Sequence, residues 1–246
     1  MLETENKKEE LLSGGVLIVG SLLWEESEIR DKWRLQCLDL KQRQFVSLPI
    51  RYGRISTTRN CTYTMVFSSE CKTQENLGTG VFIPFLVNPI SFKQLEAHVR
   101  RMISAEFNKE KNLNSQNWDW GAMGILFNPG KQPDDSPKSF AIASFIAKWA
   151  KKYSNTFNPD DYKVGNETPV ISKDGYLLID WQNLPEKIDF VIATVIKPEL
   201  KNYPSVKNIA DRIVVNEYDK YFKENRKEGI TTFQDLEVEE LITNKR

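Results

Sequence analysis

Gly15-Val16-Leu17-Ile18-Val19-Gly20-Ser21-Leu22-Leu23 is the stretch from which the fold is read. Val16 to Val19 form a short continuous apolar run, which suits a buried strand better than an exposed edge. Gly20-Ser21 closes that run with a sharp turn. There, consecutive backbone N–H groups can converge on a carboxylate or other anion, and a residue without a side chain lets a ligand approach. A glycine kept for turn geometry alone, with Ser21 capping a short helix, is the plainer alternative. The stretch is neither a GxGxxG fingerprint nor a GxxxxGK[ST] phosphate loop.

Working outward, Trp33, Leu35, Cys37 and Leu38 predict a second strand and Phe45 to Ile50 a third. Pro49 to Arg54 reads as an irregular polar connection. Thr62 to Phe67 and Thr79 to Pro84, rich in β-branched and aromatic residues, predict further strands. The first convincing helix opens at Ser91, an N-cap, and carries Phe92, Leu95, Val99, Met102 and Ile103 at helical spacing. Trp120 to Phe127 predicts a strand returning to the sheet, and Phe140, Ile142, Phe145, Ile146 and Trp149 a second amphipathic helix. Ser154 to Lys173 is polar, a surface excursion or a boundary. Phe190 to Ile196 predicts another strand. From Ser205 a helical stripe runs through Val206, Ile209, Ile213, Val214, Tyr218 and Tyr221, with a closing helix over Phe233 to Ile242. The organisation expected is a flexible lead-in over 1–12, a main mixed α+β domain over 13–200 and a C-terminal helical extension over 201–246 packed on it.

With 246 residues, 40% of them apolar, the chain can bury a sizeable core without disulfides or metal. Lysine plus arginine equals aspartate plus glutamate at 34 each, so no global basic field draws it to nucleic acid or anionic lipid. The apolar run from Gly15 to Leu23 falls far short of the roughly 20 residues that span a bilayer, so no membrane partner is expected. Cys37, Cys61 and Cys71 lack CxxC spacing, which argues against a disulfide framework or thiolate metal site and for a reduced, cytoplasmic setting. His98 is the sole histidine, so a His-rich metal centre is impossible; it is expected at a boundary or surface. Ser21 lacks a GxSxG context. No cofactor and no metal are expected.

Two groups could carry chemistry. The helical stripe Leu95, Val99, Met102 continues onto Glu106, which places a carboxyl on the core side, where burial raises its pKa toward that of a general base. A final-turn glutamate already in solvent is the alternative, and Glu96 is the reserve candidate. Arg51, Arg54 and Arg59 crowd the loop before the Cys61 strand and could clamp an anionic ligand, unless they form only a solvated surface. Trp118, Asp119 and Trp120 could line a pocket or serve as core.

Val16-Leu17-Ile18-Val19-Gly20-Ser21-Leu22-Leu23-Trp24 resembles the YGSL strand-loop of the gamma-glutamylcyclotransferase-like superfamily, especially its ChaC-like branch. Pro49 to Arg54, with Arg59 and the strand over Thr62 to Phe67, is similar to the arginine- and glycine-containing segment that follows. The resemblance covers roughly residues 15–127. It implies a compact mixed sheet or small barrel-like core, here with additional C-terminal helices, and a small-molecule substrate of the γ-glutamyl class. It also implies a loop of Gly20, Ser21, Leu22 and Leu23 holding the glutamyl moiety, and Glu106 as the general acid/base. Val19 stands where the family has tyrosine, and the material after Phe127 exceeds the smallest members. A non-catalytic binder of a small anionic metabolite is the second reading. An interaction module with an exposed stripe of Ile209, Ile213 and Tyr218 is the third. The sequence sets no oligomeric state.

Overall fold

The computed structural model describes residues 10–110, 117–131, 137–154, 156–181 and 184–245. In chain order these form β1 (Gly14–Ile18), α1 (Glu28–Cys37), β2 (Gln44–Leu48), β3 (Ile50–Ser56), β4 (Thr62–Phe67), β5 (Gly78–Pro84) and α2 (Phe92–Phe107). Then come β6 (Asn117–Trp118), β7 (Gly121–Phe127), α3 (Pro137–Tyr153), β8 (Phe190–Ile196), α4 (Val206–Val215), α5 (Lys220–Lys227) and α6 (Asp235–Thr243). The fold is mixed α+β, with a central sheet and C-terminal helices.

Six strands hydrogen-bond in the order β2-β5-β1-β8-β7-β6, while β3 and β4 form a separate hairpin. β1 occupies the middle, antiparallel to β5 and parallel to β8, with Gly14 opposite Phe190 and Leu17 opposite Ala193. Its five residues are all buried, as an unbroken apolar run in a central strand requires. α2 starts at a reciprocal capping box of Ser91 and Gln94 and buries Leu95, Val99, Met102 and Ile103. α2 and α3 meet over the sheet, where Phe92 packs edge-on against Phe145 with ring centres 5.5 Å apart and Phe145 reaches Phe190.

Four expectations are corrected. Trp33 to Leu38 is not a strand: residues 28–37 are α1, capped by the Ser27 side chain, which accepts a hydrogen bond from the Arg30 N–H. The buried residues are Trp33, Arg34 and Cys37, a helical spacing, and Leu35, which completed the apparent alternation, is 69% exposed. Residues 50–56 are a strand, β3, whose polar side chains find partners around the hairpin. The stripe from Ser205 is two helices: Glu217 takes a left-handed conformation (φ 49°), and Tyr218 N–H bonds Ile213 C=O while Glu217 N–H bonds Val214 C=O. That Schellman pattern ends a helix without the glycine that usually announces it. His98 is buried rather than peripheral, stacked on Phe85 with ring centres 4.0 Å apart.

The expected stretch from Ser154 to Lys173 contributes Tyr162, Val170 and Ile171 to the core. Ile209 and Ile213 are buried and α4 packs on α6, so the stripe proposed as a docking face points inward. The lead-in lies outside the described residues as far as residue 9; Leu12 is buried and bridges to Ile90. Among the described residues no helix is long and apolar enough to cross a membrane.

Burial, and then the nearby Arg101 charge, push the His98 imidazole down to about 4. A basic group whose folded pKa lies below its unfolded value near 6.5 contributes stability that is complete above pH 6.5 and is lost as pH falls toward 4. Urea unfolding of His98→Leu is therefore expected to lose roughly 3 kcal/mol less than wild type between pH 6.5 and 4.

Candidate active site

The ladder of β1 stops at Ile18, and the chain bends through a single helical turn over Ser21–Leu23. Leu23 N–H returns to Gly20 C=O at 3.3 Å, and Glu25 N–H to Ser21 C=O at 2.8 Å. The N–H groups of Ser21 and Leu22 make no hydrogen bond with any described residue, although both residues are buried. Ser21 and Leu22 are the first residues of a helical turn, whose opening N–H groups have no intrahelical partner, and both residues border open space. Gly20 is required by a close approach. A Cβ there would meet the Tyr221 hydroxyl at 2.9 Å.

The open space is a cavity of about 550 Å³, bounded by the glycine turn, the end of β3, the last turn of α2, β8 and α5. Glu106 lines it, and burial raises its carboxyl above the ordinary value. A hydrogen bond with the Thr194 hydroxyl and the charges of Arg30 and Arg59 oppose that rise, while Glu25 adds to it. The outcome is a carboxyl displaced toward neutrality, where a group can both accept and return a proton.

Arginines fix this geometry. Arg34, buried on α1, donates to Leu22 C=O at 2.6 Å and to Glu25 C=O at 3.2 Å, and it pairs with Asp31. Arg30 donates to Ala105 C=O at 3.0 Å and Glu106 C=O at 3.4 Å, taking up carbonyls at the C-terminus of α2. Glu25 bridges Arg30 at 3.1 Å and Arg59 at 3.3 Å. Arg59 also donates to Ser21 Oγ at 2.6 Å and lies over the Tyr221 ring at 4.9 Å. The glycine turn, the Glu106 backbone and the β3–β4 hairpin are thereby held in one frame.

Of the residues selected from sequence, Gly20, Ser21, Leu22, Arg54, Arg59 and Glu106 line the one cavity. Leu23 and Arg51 stand apart from it. Leu23 is buried in the core. Arg51 pairs with Glu70 at 2.8 Å and stacks on Tyr203 at 4.0 Å. Arg54 bridges Glu199 at 2.8 Å and donates to Lys197 C=O. Glu96 pairs with Lys152, away from the cavity. Sequence reasoning missed Glu25, Thr194 and Tyr221. Nothing local distinguishes Thr194 within its apolar strand or Tyr221 within its helical stripe, and Glu25, just past the Ser21–Leu23 turn, shows no obvious role in the sequence.

Tyr221 comes from the C-terminal helices. Its hydroxyl accepts the Met65 N–H at 3.2 Å, and Trp24 Nε1 anchors α5 through Asn225 Oδ1 at 2.8 Å. Among the described residues no group of three or more histidine, cysteine, aspartate or glutamate side chains is arranged to hold a metal ion. No known family model matches the chain, and no curated protein or solved structure is significantly similar to it.

Replacing Arg34 with methionine strips the Leu22 and Glu25 carbonyls of their donor in a buried setting. Chemical denaturation of Arg34→Met is expected to give a loss of about 3 kcal/mol, against less than about 1 kcal/mol for Arg43→Met, whose pair with Glu228 is exposed.

Proposed function

We propose that the chain is a gamma-glutamylcyclotransferase-like enzyme, releasing 5-oxoproline from a γ-glutamyl amine or peptide, with its sheet as a core of that superfamily's compact type. The observation that carries this reading is that Ser21 and Leu22, whose N–H groups have no partner among the described residues, line the same cavity as the raised carboxyl of Glu106. A binder of anions needs the first feature but has no use for the second.

In this reading the Ser21 and Leu22 N–H groups receive a carboxylate oxygen of the glutamyl group. Its α-amine, as the neutral base, attacks its own γ-carbonyl carbon. A C–N bond forms, closing the five-membered ring, and the C–N bond to the leaving amine breaks. Ionised Glu106 takes a proton from the attacking nitrogen and returns it to the departing one. Both reactants belong to one molecule, so orientation in the cavity replaces a bimolecular encounter, and the reaction itself calls for no cofactor. Tyr221, whose oxygen already accepts from Met65 N–H, has its own proton to donate to a substrate oxygen above the glycine turn.

Glu106→Gln keeps the shape and removes the base, so 5-oxoproline release from γ-glutamyl amides is expected to fall by at least about a hundredfold. The wild-type kcat/KM should fall as pH drops through the Glu106 pKa, on an acidic limb displaced upward from that of an ordinary glutamate. Undiminished turnover by the glutamine variant would overturn the assignment. Tyr221→Phe is expected to lower kcat about tenfold and, by leaving the buried Met65 N–H without its acceptor, to cost about 1–3 kcal/mol of stability in thermal unfolding.

A further inference from the structure

The proton relay occupies only the inner part of the cavity. Ser21, Leu22, Thr194 and Tyr221 are buried and form its floor, whereas Asn108 and Glu199 are exposed and mark its mouth. Part of the wall is aromatic. Phe107 and Trp120, both half-buried, line the cavity with ring centres 5.5 Å apart. Trp118 packs behind them, 5.5 Å from Phe107 and 5.2 Å from Trp120, both in edge contacts. This backing fixes the two rings while part of their surface remains turned to the cavity.

Position relative to Glu106 gives the wall its meaning. Phe107 is the next residue in the chain, at the end of α2, and its ring lines the same cavity as the Glu106 carboxyl. A group carried by the departing nitrogen has this aromatic surface available to it within the same cavity. The cavity's 550 Å³ falls in the range of about 300 to 1,000 Å³ of sites that enclose whole small molecules, which leaves room beyond a glutamyl group. Ile55 and Ile196 also line it, and both are only partly buried. Where these four side chains line the cavity, two ring faces favour a flat apolar guest over a small one, while Arg54, Thr57, Thr58 and Arg59 line its polar parts.

We propose that Phe107 and Trp120 form the leaving-group subsite and select γ-glutamyl compounds whose departing amine bears an aromatic ring, such as γ-glutamyl amides of aromatic amino acids. This rests on the cyclotransferase reading above. The bond broken is the γ-amide C–N bond, and the aromatic amine leaves with the proton returned by Glu106.

The test is a panel of γ-glutamyl-phenylalanine, γ-glutamyl-tyrosine, γ-glutamyl-alanine and γ-glutamyl-glycine, each assayed with the full chain for 5-oxoproline. The expected kcat/KM is at least about tenfold higher for phenylalanine and tyrosine than for alanine and glycine. Trp120→Ala should lose about tenfold more on the phenylalanine compound than on the alanine one, and Trp120→Phe should restore most of the difference. Phe107→Leu should narrow the preference in the same direction, which keeps the test decisive if Trp120→Ala does not fold. Equal kcat/KM across the panel, or equal losses on both substrates in the variants, would overturn the subsite while leaving the cyclotransferase reading intact. Absence of 5-oxoproline from every member would instead remove that reading, and the subsite with it.

Discussion

β1 is hydrogen-bonded along both edges, to β5 and to β8, and buried throughout its length. A strand so placed has no solvent to fall back on when its ladder ends. Beyond Ile18 the backbone must either find new internal partners or leave its groups for a bound molecule. The carbonyls find partners: Gly20 and Ser21 accept from the turn itself, and Leu22 accepts from Arg34. The amides of Ser21 and Leu22 find none among the described residues, and both residues line the cavity at this end of β1.

Holding such a turn open takes charge as well as packing. Arg30, Arg34 and Arg59 converge from α1 and the β3–β4 connection, and each spends its donors on carbonyls, Ser21 or Glu25. Because Glu25 neutralises two of these guanidiniums, Glu106 receives less of their field than their proximity alone would give, and desolvation prevails. Removing Glu25 would free both arginines to hold Glu106 ionised at lower pH. The same ion pairs therefore shape the turn and moderate the proton affinity of the Glu106 carboxyl, which burial raises.

The C-terminal helices belong to this arrangement rather than merely covering it. α5 places Tyr221 in the cavity, anchored through Met65 N–H, the Arg59 cation and the Trp24–Asn225 hydrogen bond. Each of those contacts joins residues more than 150 positions apart in the chain, so the site forms only when the last third of the sequence has docked.

Amphipathic periodicity and turn chemistry are local properties, and they determined β1, β2, β4, β5, β8 and the helix starts at Ser91 and Ser205. Local pattern misled where a tertiary partner overrode it. The spacing of Trp33, Leu35 and Cys37 mimicked a strand until the Ser27 cap and the buried Arg34 imposed a helix, and the arginines of β3 concealed a strand because their partners lie elsewhere in the chain. Only the folded chain decided that Arg51 faces Tyr203 while Arg59 meets Ser21, and that Thr194 and Tyr221 stand beside Glu106. The physical reason is range: a residue's helical or extended habit is written within a few neighbours, but which groups share a cavity is fixed by ladders and ion pairs that close across most of the sequence.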